Sequence, residues 1–351
     1  MIHLLRKQSL YNQSPLKIST FDGSNSPYHP SVLFFDTPLY GYSYWMACTP
    51  YPHKTAPYRD RYECPSVYVS NDGLHWNEPE GLTNPIDNLT EDEIKEYDYL
   101  SDPHLLVRGD AIECWYMKTK RHGKSSYSSY SQHYLLRKTS NDGVNWSKEE
   151  VLMDITNVYG REMVSPATLY EGIYKMWIVD LETRADCNSI KFLSSEDGVN
   201  WTGIKPCKLN GCKIVPWHID VQHFDGYYWL TCYEKHKALT LWRSCDGIQF
   251  EYMCELLSPS QVTASFYSQM LYRASLVKVA DKDYRLYFSA EDDFSSHIGV
   301  MCGESPTSMQ VFSVDGGEHR RIGKLTDVIK LYLKGKTASL IFRLKLKISQ
   351  L

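Results

Sequence analysis

The chain has 351 residues, 42% hydrophobic and 23% charged, a length that suits one large domain or two ordinary ones. No apolar run reaches the roughly 18 residues of a membrane span, and Met1–Lys7 lacks the apolar core of a signal peptide, so a cytoplasmic protein is expected. The net charge of −4 conceals an acidic body and a basic end. From His319 to Leu351 there are nine Lys or Arg against one acid, Asp327, a distribution that argues against a nucleic-acid-binding body.

Ten cysteines include no Cys-x-x-Cys pair; the closest spacing is Cys207 and Cys212. Cys48, Cys114 and Cys232 sit inside apolar strand-like runs, which fits reduced, buried thiols better than disulfides.

In chain order, one unit recurs. Apolar Ser31–Phe35 is followed by Gly41–Met46 and then by Ser70-Asn71-Asp72-Gly73-Leu74-His75-Trp76. His104–Val107 and Ile112–Met117 lead to Ser140-Asn141-Asp142-Gly143-Val144-Asn145-Trp146. Ala167–Tyr170 and Gly172–Trp177 lead to Ser195-Glu196-Asp197-Gly198-Val199-Asn200-Trp201. Ile219–Phe224 and Gly226–Leu230 lead to a degenerate copy, Ser244-Cys245-Asp246-Gly247-Ile248-Gln249-Phe250. Met270–Val279 and Asp283–Phe288 begin a fifth unit.

Asp-Gly between strands marks a tight turn, because Gly accepts positive φ and the Ser and Asp side chains bond the turn's own backbone. Four strands per unit, repeated five times at a period of roughly 50–70 residues, predict an all-β, five-bladed β-propeller over 1–319, followed by a basic tail over 320–351. The Asp-Gly turns all fall on one face. The opposite face gathers the starts of the innermost strands and the polar loops, where binding groups usually sit.

The Asp102-Pro103 that opens blade two, the Ser165-Pro166 of blade three and the Ser-x-Asp-Gly-x-x-Trp turns resemble those of the five-bladed propeller glycoside hydrolases. That group comprises arabinanases, xylosidases, invertases and mannoside-phosphorylase relatives, and the likeness covers roughly residues 20–312. It implies acids at the starts of the innermost strands of blades one to three, serving as base or nucleophile, proton donor and pKa modulator, as glycosyl transfer requires. Asp102 matches. His29 stands where that group has Asp, and Val164 precedes Ser165-Pro166 with Glu162 two residues earlier. Glu63 begins the third strand of blade one on the same face, and Asp22 and Glu182 lie in nearby loops.

Asp102, Glu63, Glu162 and His29 are therefore the catalytic candidates. His104, Arg161, His218, Asp220 and His297 are substrate-binding candidates, and Tyr51, Tyr58, Tyr62, Tyr127 and Tyr130 are candidates for stacking on sugar rings. No phosphate-binding Gly-rich loop, Gly-x-Ser-x-Gly or His-Glu-x-x-His motif occurs, so neither a metal nor another cofactor is expected. The expected activity is cleavage or transfer of a glycosyl group on a carbohydrate. One alternative is a membrane-associated transferase or phosphorylase in cell-surface polysaccharide synthesis; another is a non-catalytic glycan-binding propeller.

In the tail, Leu325, Val328, Ile329 and Tyr332 follow a helical stripe, whereas Phe342–Ile348 alternates with period two. Packing along the propeller and docking to an anionic membrane are both open to it. Docking predicts that deletion of 320–351 abolishes binding to anionic vesicles and leaves the propeller folded. A truncated protein that is insoluble or melts much lower identifies a packing element instead.

Overall fold

The computed structural model describes residues 13–52, 63–123, 131–155, 163–181, 188–234, 238–261 and 265–313. Blade one is β1 (Pro27–Leu39), β2 (Tyr42–Pro50) and β3 (Ser66–Ser70). Blade two is β4 (Tyr99–Arg108), β5 (Ala111–Lys120), β6 (Gln132–Ser140) and β7 (Glu150–Asp154). Blade three is β8 (Met163–Tyr170), β9 (Tyr174–Asp180), β10 (Ser189–Ser195) and β11 (Trp201–Pro206). Blade four is β13 (Pro216–Phe224), β14 (Tyr227–Glu234), β15 (Leu239–Ser244) and β16 (Gln249–Leu257), with β12 (Lys208–Asn210) added in parallel at its outer edge. Blade five is β17 (Met270–Ala280), β18 (Asp283–Glu291), β19 (Ser296–Gly303) and β20 (Met309–Phe312).

The innermost strands touch in the cyclic order β1, β4, β8, β13, β17 and back to β1, which closes the ring. Among the described residues the helical content is one short piece, α1 (Glu91–Lys95), capped by a Thr90–Glu93 capping box. No described helix is long and apolar enough to cross a membrane. The basic tail and the boundary at 319 lie outside the described residues.

Each Ser-x-Asp-Gly turn folds the same way. Asp142 Oδ1 accepts the N–H groups of Val144 (2.9 Å) and Asn145 (2.7 Å), while Ser140 Oγ accepts that of Gly143 (2.8 Å). Asp72, Asp197 and Asp246 repeat the pattern. These bonds favour the ionised carboxyl and hold Asp72, Asp142, Asp197 and Asp246 below the usual carboxylate range, Asp72 against an opposing effect of burial.

The glycine of each turn packs against side chains of the preceding blade. Gly143 lies on the Trp45 ring and Gly247 on that of Trp177, whereas Gly198 lies beside Arg137 and Trp115, and Gly73 beside the Arg285 guanidinium and the Tyr287 hydroxyl of blade five. Two contacts are also hydrogen-bonded: Trp177 Nε1 donates to the Gly247 carbonyl (2.6 Å), and Tyr287 Oη to that of Gly73 (2.9 Å). Trp45, Trp115, Trp177 and Tyr287 are all fully buried.

Blade one lacks a full outer strand; a single bridge joins Val69 to Asn77. Chain from the amino-terminal side completes the closure between blades five and one. Leu16 N–H donates to the Ile298 carbonyl (2.8 Å), and Leu16 and Ile18 enter the core shared by Val32, Tyr287 and Val300. The described cysteines are all free, and burial pushes the thiol of Cys64 up to about 12.

Gly143→Ala places a methyl group inside the Trp45 ring at a position with φ of 77°, whereas Gly172, at φ 78°, has nothing within 4 Å of such a methyl. Gly172→Ala therefore costs only the backbone penalty, about 1 kcal/mol, and Gly143→Ala adds overpacking for a loss of about 3 kcal/mol or more. Urea unfolding of the two variants checks this; equal losses show that the glycine–tryptophan contact is not specific.

Candidate functional site

All five innermost strands carry a β-bulge near their first residues. The register slips between Tyr28 and Ser31, Ser101 and His104, Val164 and Ala167, Pro216 and His218, and Leu271 and Ala274. Pro30, Pro103 and Pro166 lie within three of these slips, and a proline has no N–H to offer a ladder. A bulge turns the residue that would have faced a partner strand toward a new direction. His29 (φ 57°) and Asp102 (φ 52°) adopt left-handed backbone, as does Glu63 (φ 46°) at the approach to β3. Such conformations cost energy in non-glycine residues and are retained where the surroundings fix them. The His29 N–H, for example, is taken by Ser289 Oγ of blade five (2.9 Å).

The outcome is a cluster at the axis. His29, Asp102 and His218, from blades one, two and four, present ligand-type atoms within 4.8 Å of one another, and all three residues are buried. His218 Nδ1 faces Asp102 Oδ1 at 3.5 Å and has no hydrogen-bond partner. His29 Nδ1 lies 3.1 Å from Thr49 Oγ1 and 3.3 Å from Glu63 Oε2. Burial holds His29 at about 3 and His218 well below the ordinary histidine range, so both imidazoles are neutral near pH 7. Two neutral imidazoles and a carboxylate converging in a buried cluster form a donor set for a divalent cation, and the orphaned His218 nitrogen fits that use.

Aromatic rings wall one side. Tyr272 lies 4.1 Å from the His218 ring and 5.4 Å from that of His29, centroid to centroid. Tyr28 stacks between Tyr272 (5.3 Å) and Tyr51 (5.0 Å). Trp217 Nε1 donates to Tyr272 Oη (2.8 Å), and Tyr28 Oη donates to Glu291 (3.1 Å).

A second polar layer lies underneath. Arg273 is fully buried and donates to the Pro103 carbonyl (2.8 Å) and to His104 Nδ1 (3.0 Å). Since Nδ1 accepts from a guanidinium, the His104 proton sits on Nε2 and is donated to the Thr168 carbonyl (2.7 Å). Burial, then the nearby Arg273 charge, lowers His104 to about 3. Burial raises Asp220, with Arg273 opposing.

The structure thus brings four of the sequence candidates together: Asp102, His29, Glu63 and His218. It corrects others. His104 and Asp220, expected to bind substrate, are 0% and 1% exposed and belong to the supporting layer. His297, also expected to bind substrate, faces Asp292 Oδ2 (3.1 Å) and the edge of Phe266 instead. Glu162, Arg161, Glu182, Tyr58, Tyr62, Tyr127 and Tyr130 lie outside the described residues. Tyr28, Trp217, Tyr272 and Arg273 were not singled out in the sequence. Aligning the five blade openings would have found Tyr272 and Arg273, which occupy in blade five the bulge that holds His29 in blade one.

No family model matches the sequence. The chain is 25% identical over 316 residues to an A type blood N-acetyl-alpha-D-galactosamine deacetylase of Flavonifractor plautii, a match covering 75% of this chain and 40% of the relative's length. Its fold is similar to that of an N-acetylgalactosamine deacetylase from F. plautii solved with blood group B trisaccharide, at TM-score 0.68 and 21% identity, covering 84% of this chain and 95% of that one. It is also similar to a xylan beta-1,4-xylosidase from Bacillus halodurans C-125, at TM-score 0.60 and 16% identity, covering 87% of this chain and 57% of that one. A GH43 beta-xylosidase/alpha-arabinofuranosidase from a compost metagenome gives TM-score 0.57 at 11% identity, covering 87% and 98%. The fold shared with these structures is the five-bladed β-propeller.

The buried histidines set a pH window. Their folded pKa values lie below the unfolded value near 6.5, so as pH falls the unfolded chain binds protons that the folded one refuses. In metal-free protein, stability should fall between about pH 6.5 and about pH 3, with a slope approaching roughly 4 kcal/mol per pH unit for three such groups. Urea midpoints at pH 7, 5.5 and 4.5 test this; a flat profile shows that the imidazoles accept protons within the fold.

Proposed function

We propose that this chain is a divalent-cation-dependent carbohydrate hydrolase that removes the N-acetyl group from an amino sugar. What carries the proposal is the trio of His29, Asp102 and His218 at the axis. Support comes from the sequence similarity to an N-acetyl-alpha-D-galactosamine deacetylase, of whose length the chain spans 40%. Glycosyl transfer asks for two carboxylates flanking a sugar. At this axis one of the three blade positions that would supply acids holds His29, and Asp102 faces His218.

In this reading His29, Asp102 and His218 would hold the cation, with Thr49 and Glu63 beside His29 Nδ1 to orient its ring. A cation bound there supplies a Lewis acid for the acetamide carbonyl and for a water molecule. Glu63 is the general base. It takes a proton from the attacking water as the new C–O bond forms and returns it to the nitrogen as the C–N bond breaks, leaving acetate and a free amine. Tyr51 and Tyr272 supply the apolar wall for the sugar ring. Arg273, beneath the site, offsets the negative charge of Asp102 and Asp220.

The test is acetate release from methyl N-acetyl-α-D-galactosaminide and from oligosaccharides ending in that sugar. Chelation should abolish release and a divalent cation should restore it. His218→Ala should lose both metal binding and activity by at least about a thousandfold, whereas Glu63→Gln should lose activity while retaining the metal. Cleavage of the glycosidic bond without acetate release restores the glycosyl-transfer reading. Binding with no turnover of any glycoside points to a glycan-binding propeller.

A further inference from the structure

Blade five carries a feature that the proposed chemistry does not use. The loop between β18 and β19 stands on the face where the innermost strands begin, since Met270 at the start of β17 pairs with Glu291 at the end of β18. Its outermost side chain, Phe294, is 56% exposed. Single exposed apolar residues are common and need no explanation. This one is held in place. Asp292 Oδ1 accepts the N–H groups of Phe294 (2.7 Å) and Ser295 (2.8 Å), and the Asp292 N–H donates to the Ser295 carbonyl (3.2 Å). The other carboxylate oxygen faces His297 Nε2 (3.1 Å), whose ring is packed edge-on to Phe266. Hydrogen bonds to backbone and to His297 hold the Asp292 carboxyl below its ordinary pKa against the effect of burial, so it stays an acceptor near neutral pH.

The same loop is tied to the axis. Glu291, next in the chain to Asp292, accepts from Tyr28 Oη (3.1 Å), and Tyr28 meets His29 edge-to-face at 4.8 Å and stacks on Tyr272 and Tyr51. Three residues of chain span at most about 10 Å, so the Phe294 backbone lies within that distance of Glu291. An exposed aromatic ring on a fixed backbone, one short loop from the site, matches the C–H face of a pyranose ring.

We propose that the 292–295 loop is an outer subsite for an oligosaccharide, with Phe294 as the platform for the sugar adjoining the one acted on and Asp292 and His297 as positioning residues. This rests on the deacetylase reading of the axis, which it deepens by assigning a chain of linked sugars as the substrate class. Burying one ring face and one sugar face is a gain shared by ground and transition states, so it acts on KM.

The experiment compares kcat/KM for a trisaccharide ending in N-acetylgalactosamine with that for methyl N-acetyl-α-D-galactosaminide. Phe294→Ala should lower the ratio of the two about tenfold through the KM of the trisaccharide, Phe294→Trp should restore it, and Asp292→Ala should lower it in part. An unchanged ratio in Phe294→Ala, or equal losses on both substrates, overturns the proposal. Calorimetric titration of the same two sugars separates this idea from the activity. If wild type releases no acetate yet binds the trisaccharide more tightly, and Phe294→Ala removes the difference, the subsite stands and the deacetylase reading falls. If neither turnover nor binding distinguishes the two sugars, the subsite falls.

Discussion

The ring depends on one kind of contact made four times: a turn glycine of one blade laid against large side chains of the blade before it, a tryptophan ring in the closest cases. Sheets of a propeller share no backbone hydrogen bonds through their inner strands, so side-chain packing between blades must fix their angle. A glycine lets the turn approach until its backbone meets the indole, and the Ser and Asp of the same turn consume the local N–H groups that would otherwise be left unpaired. The serine, aspartate, glycine and distant tryptophan therefore form one unit. In blade five Tyr287 replaces the tryptophan and reaches the Gly73 carbonyl with its hydroxyl.

With the angles fixed, the axis can hold groups that an ordinary core would reject. The innermost strands present an unpaired edge there, and neighbouring blades satisfy its N–H groups: Ser31 Oγ accepts from Leu105 N–H (3.0 Å), and Ser275 Oγ from Val32 N–H (3.0 Å). Arg273 is the largest electrostatic liability. A buried guanidinium is retained only where acceptors and counter-charges surround it, and here the Pro103 carbonyl, His104, Asp220 and Asp102 do so. Histidines buried here stay neutral, with the Arg273 charge adding to the effect of burial, and the neutral form is the one able to ligate a metal or accept a hydrogen bond.

The scaffold was open to sequence reasoning because its signals are local. Asp72, Asp142, Asp197 and Asp246 each act within three residues of themselves, and the strands predicted at Ser31–Phe35 and Ala167–Tyr170 fall inside β1 and β8. The site was less open because its members come from separate blades. Asp102 and His29 were found by their place before a proline at a blade opening. His218 was expected at the axis, but nothing in its spacing from the other two announces a shared ligand. His104 and His297 show the converse limit: both are polar residues at strand starts, and only packing reveals that one is sealed under the axis and the other braces a loop. Tyr272 and Arg273 sit in a long apolar strand whose blade lacks the Asp-Gly turn, so only an alignment of the blade openings brings them into register with His29.

The closure of blade five has a topological consequence. Ser14 and Ser313 meet, with their hydroxyl oxygens 2.8 Å apart, so the two ends of the described chain are neighbours on one seam. Joined there and cut in a surface loop between two other blades, the chain would keep every strand pair it now has. The polypeptide's starting point is thus incidental to the ring, which is nearly blind to which blade is called first. The axis breaks that symmetry: five equivalent bulges carry unequal side chains, and the difference among them defines a front, a back and an orientation for whatever binds.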